Sequence, residues 1–136
     1  MAHRGPILID DPSVRAPAQK AADMALDISN ITFDCDDPQR VAAFWQAALG
    51  RTLDDGASEF FASLSGPAGS PKLLFLKVPE HKTVKNRVHL DLHADDRAAE
   101  VARLLALGAT HVDDHDEYGM RWTTLRDIEG NELCIG

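Results

Sequence analysis

Ser29-Asn30-Ile31-Thr32-Phe33-Asp34-Cys35-Asp36-Asp37 alternates polar and apolar residues and closes on an acidic pair. Val88-His89-Leu90-Asp91-Leu92-His93-Ala94-Asp95-Asp96 repeats that pattern about 60 residues later. Outward from these, Ala48-Leu49-Gly50-Arg51-Thr52 is echoed by Ala106-Leu107-Gly108-Ala109-Thr110, and Phe61…Leu64…Gly69 by Trp122…Leu125…Gly130. Three matches in order, at nearly one offset, imply one supersecondary unit used twice. They predict a pseudo-twofold fold with a site between its halves.

Each unit has the same punctuation. A strand over about Leu26 to Cys35 turns Ile31, Phe33 and Cys35 to one face and Asn30, Thr32 and Asp34 to the other. Asp37 suits an N-cap and Pro38 the first helical position. Val41, Phe44, Trp45, Ala48 and Leu49 then form an apolar stripe that Gly50 ends. Short strands follow near Thr52–Asp54, Glu59–Leu64 and Lys72–Val78, and the polar segment Pro79 to Asn86, with Lys82 and Lys85, is the hinge. The second unit has a strand from Arg87 to Ala94, Asp95-Asp96 as cap, and a helix striped by Val101, Leu104 and Leu105 with Gly108 as its stop. Strands near Thr110–Asp113, Arg121–Leu125 and Glu132–Ile135 complete it, the last two joined by the hairpin Asp127-Ile128-Glu129-Gly130-Asn131. The class is α+β: two tandem βαβββ modules, over 25–80 and 86–136, in one domain spanning 25–136.

Bulk properties narrow the partners. A net charge of −8 disfavours nucleic acid and anionic membranes. No apolar run approaches the roughly 20 residues that span a bilayer, and Ile7-Leu8-Ile9 is too short for the apolar region of a signal peptide. A chain of 136 residues buries about two-thirds of its unfolded surface and needs no staples, so Cys35 and Cys134 read as two buried thiols of a cytoplasmic protein. Residues 1–24, with Pro6, Pro12 and Pro17 and no steady period, read as an N-terminal arm outside the core. Its Ile7-Leu8-Ile9 stretch is a candidate strand against a partner's sheet edge.

The chemistry belongs to the strand faces turned away from the helices: Asn30, Thr32 and Asp34 in one unit, His89, Asp91 and His93 in the other. Such alternation fits a wet cavity and also an open solvated face. His89 and Glu132 are the candidate metal ligands, imidazole and carboxylate suiting a divalent cation; His89 hydrogen-bonded to Asp91 is the simpler alternative. Trp122 and Phe61, at equivalent positions, are walls of a ligand pocket or packed core. His111, His115, Asp113, Asp114, Asp116 and Glu117 read as a solvated loop. There is no Ser-His-Asp set, phosphate-binding glycine loop or basic–aromatic stripe.

With the repeat in hand, the chain resembles the vicinal oxygen chelate superfamily, and more closely its small bacterial glyoxalase-like proteins. The segments that carry the resemblance are Val78-Pro79-Glu80-His81-Lys82-Thr83-Val84-Lys85-Asn86-Arg87-Val88-His89-Leu90-Asp91, Asp127-Ile128-Glu129-Gly130-Asn131-Glu132-Leu133-Cys134 and, less specifically, Asp37-Pro38…Phe44-Trp45…Leu49-Gly50. The resemblance covers Ala25 to Gly136. It implies a cupped eight-stranded mixed sheet built from both modules, often completed by a homodimer. In metal-using members four inward positions hold a divalent ion such as Zn, Ni, Mn or Fe. Here those positions fall on Asn30, Leu76, His89 and Glu132; Leu76 cannot ligate, which implies a degenerate or absent metal site.

Three functions are therefore expected. The first is a small-molecule binder or enzyme without the full metal site, with Glu132 and His89 as acid and base. It would use Asn30, Thr32, Phe61, Asp91, His93 and Trp122 as substrate contacts. The second is a metal-dependent lyase or isomerase with His89 as ligand, Glu132 as ligand or base, Asp91 orienting His89, and Asn30 offering a further amide oxygen. The third is a non-catalytic dimeric module whose arm swaps between subunits.

Overall fold

In β1 (Asn30–Cys35) the predicted alternation holds: Ile31, Phe33 and Cys35 face the core, and Asn30, Thr32 and Asp34 are exposed. These observations come from a computed structural model that describes residues 25–136. The arm, with its Ile7-Leu8-Ile9 strand and its subunit swap, lies outside the described residues. Asp37 caps α1 (Pro38–Leu49), its carboxylate accepting from the Arg40 amide at 3.3 Å. Such a cap contributes about 1 kcal/mol. Gly50 leaves the helix at φ 66, and its amide donates to the Gln46 carbonyl at 2.9 Å. A side chain there would strain the backbone.

Three antiparallel neighbours complete the first module: β2 (Thr52–Leu53), β3 (Phe61–Ser65) and β4 (Lys72–Lys77). β4 lies parallel to β1, and the sheet runs β1-β4-β3-β2. The second module repeats this plan with β5 (Leu90–Leu92), α2 (Arg97–Ala106), β6 (Thr110–Glu117), β7 (Met120–Arg126) and β8 (Glu132–Ile135), in the order β5-β8-β7-β6. Asp96 caps α2 through the Ala99 amide at 3.1 Å.

The second module also departs from its sequence reading. β5 is shorter than Arg87–Ala94, because its one ladder partner among the described residues, β8, pairs from Leu133 to Ile135. Val88, which alternation puts on the same face as Leu90 and Leu92, is exposed, and Leu105 lies outside the buried stripe of α2. The charged run after His111 is strand and not loop. β6 pairs along β7 to Glu117, and Tyr118-Gly119 closes the hairpin with φ values of 55 and 73. Backbone pairing sustains this ribbon although its side chains are charged on both faces, which hides the period of two.

No ladder joins the two sheets among the described residues. The modules are fused through α1, whose ends are gripped by module two. Glu129 accepts from the amides of Asp36 and Asp37, each at 2.8 Å, placing its negative charge at the positive end of the helix. Arg103 donates to the carbonyls of Ala47 and Ala48 at 3.0 and 2.8 Å, placing a positive charge at the negative end. Between them the buried Trp45 indole donates to Asp127 at 2.9 Å. The other Asp127 oxygen accepts from the Glu129 and Asn131 amides. One core results: Trp45, Phe75 and Leu64 pack in the same cluster as Leu104, Leu125 and Leu133.

Candidate functional site

Because Leu133 and Ile135 point into the core, Glu132 and Cys134 must point to the opposite face of β8. By the same rule Leu125 and Thr123 face inward on β7, and Trp122 and Thr124 outward. Asp91 on β5, with His89 and His93 flanking the strand, joins them, lining a cavity of about 820 Å³ with Lys85, His115, Met120 and Arg121.

Five of the predicted site residues are thus brought together: His89, Asp91, His93, Trp122 and Glu132. Asn30, Thr32 and Phe61 belong to the first sheet and do not line this cavity. Leu76, also there, pairs with Asp34 and Phe61 and is partly exposed.

Glu132 is buried and fully engaged. One carboxylate oxygen accepts from the Asn86 amide at 2.9 Å; the other from Lys82 Nζ at 3.2 Å and Arg126 Nε at 3.3 Å. Burial alone would raise its pKa, but the Asn86 amide, Lys82 and Arg126 outweigh it and hold the carboxyl at about 2. A base works best with a pKa near the operating pH, so this carboxylate is a poor proton acceptor. His89 Nε2 lies 3.2 Å from Asp91 Oδ1, within ion-pair distance. Trp122 stacks on His115 with centroids 4.7 Å apart and planes 14° from parallel.

Several contributors escaped the sequence reading. Lys82, Asn86 and Arg126 lie far from Glu132 along the chain or across a turn, and no spacing rule connects them. His115 was hidden in the charged run. Cys134 read only as a buried thiol, although its place two residues after Glu132 already put both on one face. Both cysteines are buried and unbridged. Burial, reinforced by Glu129 and nearby aspartates, pushes the Cys35 thiol up to about 12.

The ligand set that the resemblance implies does not come together in this chain. Glu132 is committed to two cations and an amide, Asn30 is on the other sheet, and Leu76 offers no donor atom. His89 alone has both the right chemistry and an open position.

Two βαβββ modules, a shared core and a cavity on the sheet face define the class: an α+β protein of the vicinal oxygen chelate superfamily. Within it the chain belongs to the glyoxalase-like domain family, whose model matches residues 30–136. Among solved structures it is similar to a glyoxalase/bleomycin resistance protein/dioxygenase family enzyme from Burkholderia phytofirmans, at 22% identity and TM-score 0.67, covering 81% of this chain and 97% of that one. It is similar to a mutant fosfomycin resistance protein, FosX, from Listeria monocytogenes in complex with Mn(II), at 13% identity and TM-score 0.68, covering 82% and 90%. It is also similar to the bleomycin-binding protein of Streptomyces verticillus in complex with copper(II)-bleomycin, at 17% identity and TM-score 0.57, covering 82% and 96%. At these identities the likeness is one of fold. No curated protein matches the chain.

Proposed function

We propose that this chain is a small-molecule-binding member of the glyoxalase-like family in which Glu132 is a structural anion, not a metal ligand or a base. The observation that carries this is the engagement of Glu132 by Lys82, Arg126 and the Asn86 amide. To ligate a metal or take a proton, the buried carboxylate would have to abandon two charged partners, which is costly. The cavity suits a flat, partly aromatic ligand: Trp122 and His115 present a stacked wall, Met120 an adaptable apolar contact, and Lys85 a cation. Neighbours of this fold include a bleomycin-binding protein and fosfomycin resistance proteins, which supports a small-molecule ligand. The test is quenching of Trp122 fluorescence by a panel of planar aromatic compounds. Saturable quenching lost in Trp122→Phe but kept in Glu132→Gln supports the reading; binding that requires Glu132 in a folded variant defeats it.

The His89–Asp91 pair favours a second reading, an enzyme in which His89 moves a proton and Asp91 orients it. His89→Ala would then abolish turnover of a bound compound while leaving its binding intact. A homodimer fits either reading, because β1 and β5 are both terminal strands and Asn30, Thr32 and Phe61 await a partner face. Opposing one protomer's first sheet to its partner's second would bring them over the cavity. Sedimentation of the full chain tests this: a strictly monomeric mass at micromolar concentration would end it.

A further inference from the structure

One pleat beyond the His89–Glu132 level, the register of β5 and β8 sets Asp91 opposite Cys134. A ring nitrogen of His89, an Asp91 oxygen and the Cys134 sulfur all lie within 4.8 Å of one another. His89 Nε2 and Asp91 Oδ1 are already 3.2 Å apart. Tetrahedral ligation with bonds of about 2.0–2.3 Å separates donor atoms by about 3.3–3.8 Å, so the sulfur closes by only about 1 Å. The Asp91 side chain is 79% exposed and able to follow.

We infer that His89, Asp91 and Cys134 form a site for a thiophilic divalent transition metal, zinc above all, displaced by one pleat from the position its family uses. This goes beyond the ligand-binding reading and does not depend on it. Thiolate and carboxylate together carry two negative charges and neutral imidazole none, which balances a divalent cation. The sulfur selects against magnesium, calcium and manganese, which prefer oxygen. Thr124 Oγ1 lies 3.4 Å from Cys134 Sγ, placed to donate to a bound thiolate. Three of the four nearby cations are neutralised, Lys82 and Arg126 by Glu132 and Arg121 by Asp116 at 3.3 Å, and Lys85 is the fourth. Three protein donors leave a fourth position open to the cavity. Cys35 cannot substitute, being buried on the core face of β1 with its sulfur on the Leu76 carbonyl at 3.4 Å.

The test uses the full chain, stripped with a chelator and titrated with Co(II), then Zn(II). One equivalent of Co(II) should produce the visible bands of a four-coordinate ion and a near-ultraviolet thiolate-to-cobalt band, both erased by Zn(II). Cys134→Ser should remove the near-ultraviolet band and weaken zinc binding by at least about tenfold. Cys35→Ser should change neither, and zinc should shield Cys134 of the unmutated chain from alkylation, mapped by mass spectrometry. The site is overturned if cobalt does not bind, if the band survives Cys134→Ser, or if zinc leaves Cys134 alkylation unchanged. It is equally overturned if Glu132→Gln, folded by circular dichroism, loses the metal while Cys134→Ser keeps it.

Discussion

The two modules share strand order, helix cap and turn, yet divide the work. α1 buries six residues, Trp45 and Phe44 among them, whereas α2 buries only Leu104. On the faces turned away from the helices the weighting reverses. Module one presents Leu74, Leu76 and a polar network in which Asp54 accepts from Ser63 and Ser65 and pairs with Lys72 at 3.6 Å. Module two presents His89, Asp91, Trp122 and Cys134 around a cavity. Duplication lets one copy specialise in stability while the other carries chemistry, because only the helix-facing half of each sheet is needed for folding.

The largest expected effect tests this asymmetry directly. Trp45 and Leu104 occupy corresponding places in the two helices and are both buried. Trp45→Ala should cost about 3–5 kcal/mol of unfolding free energy, measured with urea. Leu104→Ala should cost about 1 kcal/mol less, because Trp45 also leaves Asp127 without its indole donor. An equal or reversed order would show that module two shares the stabilising role equally.

Next comes Glu132, the one place where module two's cavity face is also structural. Glu132→Gln should cost about 1–3 kcal/mol at neutral pH, since hydrogen bonds to a charged group are lost. The pH dependence has a definite sign. The folded carboxyl sits at about 2 against an ordinary 4.5, so its contribution is complete above 4.5 and disappears as pH falls toward 2. The variant's stability should therefore be flatter across that window than the parent's. Parallel acid titrations would show Glu132 to be weakly held.

Smaller effects test how module two grips α1. Glu129→Ala and Arg103→Ala should each cost about 1 kcal/mol, and the double variant their sum, since they act at opposite ends of one helix. Non-additive losses would mean that the modules separate as units.

What was legible in the sequence follows the same division. Caps, stops and apolar stripes act locally, so Asp37, Pro38 and Gly50 announced α1, and the offset between Asn30 and His89 announced the second module. The faces of β5 and β8 were legible too, since a period of two puts His89 with Asp91 and Glu132 with Cys134. Who meets whom across strands was not. Glu132's partners come from the hinge and from β7, and their convergence depends on a register that no local pattern encodes. The split between sheets was equally hidden: Asn30 and Phe61 sit at the repeat-equivalent places of His89 and Trp122, but equivalence under a pseudo-twofold is not proximity.

Trp122 gives the smallest stability effect and the sharpest separation of fold from function. Its ring lies outside the core and, among the described residues, stacks on His115 in a half-buried cross-strand contact. Trp122→Ala should therefore cost less than about 1 kcal/mol, as such pairs do. Loss of the aromatic wall should weaken binding of a planar ligand by about tenfold, since a stacked aromatic pair contributes about 0.5–1.5 kcal/mol beyond the area it buries. Urea unfolding and fluorescence-independent calorimetric titration measure the two separately. A large stability loss would make Trp122 part of the core, like the buried Trp45. Unchanged binding would move the ligand off this wall. Only the combination of small and large effects fits a module whose outer face has been released from folding to bind.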